Sequence, residues 1–156
     1  MEIKGGNYVS QIKRLSDRIL EQILAEKNID AFNGAQGRIL YVLWNRDGIS
    51  LRELADKTGL APTTLTSMVD RMEKAGLVCR MPDKNDRRKT LLALTPKAEN
   101  LEQDYKAVSD KMSEIFYKGF SDEEIRACEA MLARILDNMK KIRLNLRLFT
   151  GKDDLL

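Results

Sequence analysis

A cluster of basic residues in a short polar segment is the first feature of this chain that could do chemistry. Residues 85–95 read NDRRKTLLALT, so Arg87, Arg88 and Lys89 follow Asp86 and precede an apolar run. Guanidinium and ammonium groups bind phosphate oxygens, and arginine also enters a narrow, electronegative minor groove of DNA. A solvated charged turn would carry the same residue types. The elements that position this loop therefore decide between the two interpretations.

Two short helices are predicted immediately before the loop. Residues 50–53 read SLRE, the pattern of a capping box in which Ser50 and Glu53 exchange hydrogen bonds between side chain and backbone. Gly59 suits the left-handed residue that follows such a helix, and Pro62 suits the first turn of a second helix. That second helix is predicted over 62–75. Its inward side is apolar and consists of Leu65, Met68, Val69 and Met72.

The opposite side of the second helix carries groups suited to reading duplex DNA. Hydroxyls donate or accept hydrogen bonds at base edges and phosphates, and arginine addresses guanine or phosphate. An ordinary solvated face is the alternative. Because Thr has only moderate helix propensity, three threonines near the start of the helix slightly favour a functional role over a purely structural one. The polar residues on or beside this side are Thr63, Thr64, Thr66, Ser67, Asp70, Arg71 and Lys74.

The basic loop is predicted to be the tip of a two-stranded hairpin. Gly76 ends the second helix, and apolar, strand-favouring residues flank the polar segment PDKNDRRK on both sides. Lys84 and Lys89 would then lie where phosphates pass, and Asp86 would orient Arg88 through a bidentate pair. Two short helices followed by a basic hairpin form a winged helix-turn-helix.

The charge distribution agrees with this placement. The net charge of the 156 residues is only +3, but residues 50–97 hold ten Lys/Arg against six Asp/Glu, a net charge of +4, and the remainder is −1. All of the excess positive charge therefore lies in the middle third, where a polyanionic partner would bind.

Amphipathic helices flank the middle third. We predict helices over 8–27 and from 33 to about 47, a helix of about twenty residues starting at Thr95-Pro96, and a last helix from the capping box SDEE at 121–124. The last helix has an apolar seam with alternating steps of three and four residues, at Ile125, Cys128, Leu132, Ile135, Met139, Ile142, Leu146 and Phe149.

A seam of this length is hard to bury inside a small monomer, so we expect a homodimer built by the terminal helices. An intramolecular helix pair is the alternative. The dimerisation candidates are Ile12, Ile19, Ile125, Leu132, Ile135, Met139, Ile142 and Leu146.

Several classes of protein are disfavoured by composition. The sequence has no histidine for acid–base work or for a mixed histidine–carboxylate zinc site, and it has no phosphate-cradling Gly-Lys-Ser/Thr motif, so we expect no enzyme, metal or cofactor. No apolar run approaches the roughly 18 residues of a membrane span. Two cysteines and no secretory signal indicate a reducing cytoplasm, and Cys79 and Cys128 are expected to be small buried residues.

The central 50 residues resemble the winged-helix core of the MarR family (multiple antibiotic resistance regulators). The family's wing pattern, Asp-x-Arg before an apolar strand and Leu-Thr, is similar to Asp86, Arg88 and Leu94-Thr95. The end of its recognition helix is similar to Met72 followed by Gly76, Leu77 and Val78. The chain departs from the pattern at Ala98, where a Gly is usual, and at Ala61-Pro62, where a Ser or Thr cap is usual.

The resemblance implies a mainly α fold with a small two-stranded wing: a dimerisation helix over 1–32, a winged DNA-binding lobe over 33–97 and dimerisation helices over 98–156. It implies a homodimer that binds a pseudo-palindrome in double-stranded DNA, in most cases as a repressor, with Arg88 in the minor groove. A winged-helix module that binds only protein is the competing interpretation. The candidate DNA-binding residues are Ser50, Thr63, Thr64, Thr66, Ser67, Arg71, Lys74, Lys84, Asp86, Arg87, Arg88 and Lys89.

The resemblance also implies a small phenolic or lipophilic effector held between the two kinds of lobe. The residues that could line such a cleft are Leu15, Tyr41, Trp44 and Tyr105. Aromatic residues at helical spacing are more often plain core, which is the alternative here.

Overall fold

The computed structural model describes the backbone of residues 1–150 and the side chains of residues 1–146. Most of the described chain is helical, as predicted. The helices are α1 (Gly5–Glu26), α2 (Gly34–Asn45), α3 (Leu51–Thr58), α4 (Pro62–Lys74), α5 (Pro96–Glu99), α6 (Glu102–Phe116) and α7 (Asp122–Thr150), and the strands are β1 (Ile49–Ser50), β2 (Val78–Pro82) and β3 (Thr90–Leu94).

The chain divides into two compact units. The first unit, Met1–Met112, contains the sheet and all the helices up to most of α6, and the second begins at Ser113 and contains α7. The three-part division expected from the sequence, with boundaries after residues 32 and 97, stays a prediction.

A single hydrophobic core holds the first unit together. The predicted inward side of α4 is confirmed, since Leu65, Met68, Val69 and Met72 are all buried. Fully burying one such side chain stabilises the fold by roughly 1.5–3 kcal/mol. Other elements supply the facing surface, with buried side chains at Ile23, Leu24, Ile39, Leu40, Leu43, Leu54, Leu92 and Val108. The orientation of α4 is therefore fixed by packing along its whole length.

The sheet has three strands rather than the two predicted. Its order is β1-β3-β2 and both pairings are antiparallel, with Ile49 opposite Leu92 and Val78 opposite Leu94. Strand β1 was not predicted because two residues are too short to show the alternation of a strand. Leu94 N also donates to Asp47 Oδ1 at 2.8 Å, so the segment before β1 is tied to the end of β3.

The single helix predicted from Pro96 is also wrong, because the chain forms two helices there. Thr95 caps α5 as expected, its Oγ1 accepting from Ala98 N at 3.4 Å. The Ala98 carbonyl then accepts from Leu101 N at 3.1 Å and from Trp44 Nε1 at 3.2 Å. These two donors take the acceptor that a continuous α-helix would offer to residue 102, so the helix breaks and restarts as α6.

Three predicted caps differ in how fully they form. Asn33 and Gln36 make a complete capping box at α2, and Ser121 and Glu124 make another at α7. At α3 only half of the predicted box is seen, with Ser50 Oγ accepting from Glu53 N at 3.1 Å. The Glu53 carboxylate instead accepts from Arg46 Nη1 at 2.8 Å.

The second unit begins with aromatic contacts before α7. Tyr117 packs edge-on against Phe116 and Phe120, with ring centroids 4.8 and 5.8 Å apart. The Tyr117 hydroxyl donates to Glu129, and this hydrogen bond raises the pKa of Tyr117 to about 12. The bond ties the turn before α7 to the second turn of that helix.

Candidate nucleic-acid interface

The start and end of α4 are set by local signals. Pro62 occupies its first turn, where the missing N–H costs nothing, and Gly76 follows its end at φ +74°. Gly59, the C-cap of α3, has φ +70° and turns the chain between the two helices. The Lys97 ammonium donates to the Ala75 carbonyl at 2.9 Å, placing a positive charge at the C-terminal end of α4. The helix pair predicted from residues 50–75 is confirmed.

The outer side of α4 is exposed along its whole length and is polar. It brings together the predicted base- and phosphate-contacting residues of this helix, and all of them are exposed: Thr63, Thr64, Thr66, Ser67, Arg71 and Lys74. The Thr66 hydroxyl donates to the Pro62 carbonyl at 3.0 Å, so its proton is engaged and its oxygen stays available as an acceptor. Two positive side chains and four hydroxyls thus line one surface.

The loop between β2 and β3 is an ordered turn that is held by hydrogen bonds. Asp83 N donates to the Lys89 carbonyl at 3.0 Å, and Lys89 N donates to the Asp86 carbonyl at 2.9 Å. Asn85 N donates to Asp83 Oδ1 at 2.8 Å. These bonds fix the backbone of the tip while its four basic side chains stay exposed, at Lys84, Arg87, Arg88 and Lys89.

The Asp86–Arg88 pair forms, but in a different geometry from the bidentate pair predicted. The backbone N and the side-chain Nε of Arg88 both donate to Asp86 Oδ1, at 3.1 and 3.2 Å. With only one residue between them, the backbone amide reaches the carboxylate as well as the guanidinium does, which is the geometry of an Asx-turn. These hydrogen bonds, led by the backbone one, lower the pKa of the Asp86 carboxyl. The Arg88 side chain is 91% exposed, and it is Nε rather than an outer guanidinium nitrogen that donates to Asp86.

Ser50 lies at a different kind of position from the other candidates. It is half-buried at the junction of β1 and α3, and its Oγ is engaged as the N-cap of α3. The hydrogen bond that its Oγ accepts from Glu53 N shows the capping role, whereas its contact with DNA stays a prediction.

Arg80 was missed by sequence reasoning. It lies in β2, and its guanidinium donates to Asp70 Oδ1 at 2.7 Å and to Glu73 Oε2 at 3.2 Å, both on α4. These contacts, chiefly the hydrogen bond to Asp70, raise the pKa of Arg80. The spacing of Asp70 and Glu73 was a visible signal, since residues three apart share a helix face, but the register of β2 was needed to see what meets them.

Three of the four candidate effector-binding residues come together. The Tyr105 ring lies 5.6 Å from that of Tyr41 and 5.3 Å from that of Trp44, and Phe32 completes the cluster at 6.1 Å. Burial raises the pKa of the Tyr105 phenol, and Tyr41 is 53% exposed. Leu15 is apart from this cluster: it lines an open groove of about 210 Å³ on α1 with Gln11, Arg14 and Arg18.

The dimerisation candidates are mostly exposed. On α7, exposure rises from 38% at Leu132 to 64% at Met139, and Ile135, Ile142 and Leu146 are also exposed. Ile12 is exposed on α1, Ile125 is half-buried, and Ile19 packs partly against the core of the first unit. Phe149, the last residue of the predicted seam, lies outside the described side chains.

Both cysteines differ from expectation. Cys79 was predicted to be buried, which is wrong: it is exposed on β2, because the alternation of the strand turns Val78 inward and Cys79 outward. Cys128 is half-buried. None of the helices in the described part of the chain combines the length and the apolar character that a membrane span requires.

Comparison with known proteins identifies the same region. The model of the MarR family matches residues 32–90. YsmB of Bacillus subtilis (strain 168), an uncharacterized HTH-type transcriptional regulator, is 32% identical over 99 residues, covering 64% of this chain and 68% of YsmB. The HTH-type transcriptional regulator FarR of Neisseria gonorrhoeae is 32% identical over 110 residues, covering 70% of this chain and 69% of FarR.

Solved structures share the fold. A mutant MarR from E. coli complexed with operator DNA has a TM-score of 0.76 at 27% identity, covering 86% of this chain and 94% of that one. A MarR transcriptional regulator from Methanosarcina mazei Go1 has a TM-score of 0.78 at 23% identity, covering 91% of this chain and 94% of that one. The similarity thus extends beyond the winged region to most of the helices.

Proposed function

Since the chain belongs to the MarR family of transcription regulators, we propose that it is a repressor that binds a pseudo-palindromic operator as a homodimer. In each subunit α4 lies in the major groove and the turn at 82–90 reaches the adjacent minor groove. The observation that carries this proposal is the fixed, outward Arg88 beside a rigid helix with a polar outer face.

Major-groove contact by α4 is supported by its packing and its chemistry. Four buried side chains fix the helix, so its outer side chains are presented without reordering the backbone. Arg71 is suited to guanine or a phosphate, and the hydroxyls of Thr63 and Ser67 suit base edges or phosphates. One good bidentate contact discriminates between bases by about 1–3 kcal/mol.

Minor-groove contact by the wing is supported by the charge and order of its tip. Narrow minor grooves concentrate negative potential and attract inserted arginines. The Asp86 carboxylate orients the Nε side of Arg88 and leaves the outer nitrogens of the guanidinium for the groove. Lys84 and Lys89 add positive charge for the flanking phosphates. Because the turn is already hydrogen-bonded, little conformational entropy is lost on binding.

Dimerisation is supported by the exposed apolar seam of α7. Leu132, Ile135 and Met139 are exposed in the single chain, and a second copy of the chain would bury their side chains. A two-fold dimer would place two recognition helices about 34–36 Å apart, one turn of B-DNA, so we expect an operator with two inverted half-sites at that spacing.

An aromatic effector is supported by the ring cluster of Tyr41, Trp44 and Tyr105. The exposed Tyr41 ring stacks on Tyr105 at the edge of the cluster, and a planar phenolic or lipophilic molecule could extend or replace that stack. Such a ligand would alter DNA binding only if it binds two conformations of the dimer with different affinity.

The test is a gel shift with two kinds of duplex: the DNA upstream of the protein's own gene, and sequences enriched by the protein from a random library. We call the best bound sequence the operator duplex. If each dimer neutralises 6–10 phosphates, affinity should fall by roughly 10³–10⁵ between 50 and 200 mM salt. Failure to bind or enrich any duplex, with retention only on protein partners, would establish the competing interaction-module function.

A further inference from the structure

Arg80 connects the two elements of the proposed DNA interface. Its backbone belongs to β2, the first strand of the wing, and its guanidinium spans Asp70 and Glu73 on α4 at 2.7 and 3.2 Å. The two carboxylates lie one helical turn apart, so the planar guanidinium reaches both at once. No other ion pair described for this region joins the wing to α4.

The two carboxylates need such a partner because of where they lie. Asp70 directly precedes Arg71 and is three residues after Ser67, on the exposed side of α4 that faces the nucleic acid in the proposed complex. A bare carboxylate there would repel phosphate oxygens, and like charges brought together at an interface oppose binding strongly. Within residues 50–97, Asp70 and Glu73 account for two of the six acidic residues.

We infer that Arg80 is a positioning residue of the DNA interface: it pairs with Asp70 and Glu73 and thereby neutralises both carboxylates where the phosphates pass. This inference rests on the proposed function. It gives Arg80 a role that differs from that of Arg88. The Arg80 side chain is 28% exposed with both ends of its guanidinium occupied, whereas that of Arg88 is 91% exposed with one side held. Arg80 acts through its carboxylate partners, and Arg88 through the groove.

The decisive experiment distinguishes loss of the positive charge that neutralises Asp70 and Glu73 from loss of a direct DNA contact. Arg80→Gln removes the positive charge and uncovers both carboxylates, so we expect affinity for the operator duplex to fall about tenfold. Adding Asp70→Asn and Glu73→Gln to that variant removes the exposed negative charges, and we expect affinity to return to within about threefold of wild type. A residue that touched DNA directly would show no such rescue.

Two further variants keep the test informative if Arg80→Gln folds poorly. Asp70→Asn/Glu73→Gln in the otherwise unchanged chain should bind the operator duplex at least as tightly as wild type, and a tenfold loss there would overturn the inference. Arg80→Lys keeps the charge but replaces the planar guanidinium by a single ammonium, so it should bind more weakly than wild type and more tightly than Arg80→Gln. A loss as large as that of Arg80→Gln would count against neutralisation by charge. Arg38→Gln, which removes an arginine paired with Asp17 at 3.3 Å on α1, is the matched control and should leave affinity unchanged.

Failure of this inference is distinguishable from failure of the proposed function. If wild type binds the operator duplex and Arg88→Ala binds weakly, the DNA-binding function stands. A triple variant that remains as weak as Arg80→Gln, with an unchanged melting temperature, would then overturn the role of Arg80 alone. Absence of wild-type binding to any duplex would overturn both.

Discussion

The helices α4 and α7 use their apolar residues in opposite ways. In α4 the four residues of the apolar side are buried in their own chain, and the outer side is polar. In α7, by contrast, the described side chains include none that is fully buried, and apolar residues such as Ile135 and Met139 are exposed. Both helices are amphipathic by sequence, so amphipathicity alone does not show whether the apolar side of a helix is buried within its own chain. The apolar side of α4 is buried within the chain and its polar side is free to bind, whereas the apolar side of α7 stays exposed until a partner covers it.

Breaking the seam of α7 should have the largest effect. Leu132→Glu/Ile135→Glu places two carboxylates in the proposed dimer contact, where desolvating them without partners opposes association strongly. We expect monomers or unfolded chain by analytical ultracentrifugation, and loss of operator binding by at least a hundredfold because one lobe retains only half of the contacts.

The control for the seam variant is Ala130→Glu/Arg134→Glu, which adds negative charge to the opposite side of α7 at exposed positions. It should remain dimeric. An intact dimer from the seam variant, or dissociation of both variants alike, would refute the assignment of the seam and favour an intramolecular helix pair.

Removing the wing arginine should have the next largest effect. Arg88→Ala deletes the exposed guanidinium proposed to enter the minor groove, and we expect at least tenfold weaker binding to the operator duplex, in line with about 1–3 kcal/mol for a groove contact. The melting temperature should barely change, because this side chain is almost fully exposed and its ion pair is with Asp86 in the same turn. Normal binding by a folded Arg88→Ala protein would contradict the wing assignment.

Weakening the support of that arginine should have the smallest effect. Asp86→Asn removes the charge that orients Arg88 and should reduce operator affinity by about two- to fivefold. The pKa of the Asp86 carboxyl is depressed, so its ionised, bonded form is present above the unfolded-state pKa and is lost only as pH falls through the still lower folded-state pKa. The ratio of wild-type to Asp86→Asn affinity should therefore be constant from pH 5 to pH 8. A ratio that collapses between pH 6 and pH 5 would show that Asp86 is not held ionised by Arg88.

The sequence predicts those features that depend on neighbours within one or two turns. The buried set of α4, the caps at Asn33 and Ser121, and the left-handed Gly59 all follow from local spacing, and each is confirmed. The basic tip between two strands was predictable for the same reason. Its candidate contacts with DNA stay predictions, because they depend on a partner.

What sequence reasoning missed depends on residues far apart in the chain. The strand β1 exists only because β3 pairs with it across about forty residues, and the break before α6 is set by Trp44, which lies 54 residues from the carbonyl it binds. Nothing in the sequence distinguishes Arg80 from the other basic residues nearby, because its contact with α4 depends on the register of β2. Periodicity reports on one element at a time, whereas these features join two.

Trp44 is the only tryptophan of the chain, and its indole nitrogen is bound to the Ala98 carbonyl beside the Tyr105 ring. Intrinsic fluorescence excited at the indole therefore reports on the first unit and is silent about unfolding confined to α7. Melting of the first core would release the indole to water and shift its emission to the red, whereas fraying of α7 would change only circular dichroism. Fluorescence and circular dichroism measured together therefore distinguish unfolding of the first unit from unfolding of α7.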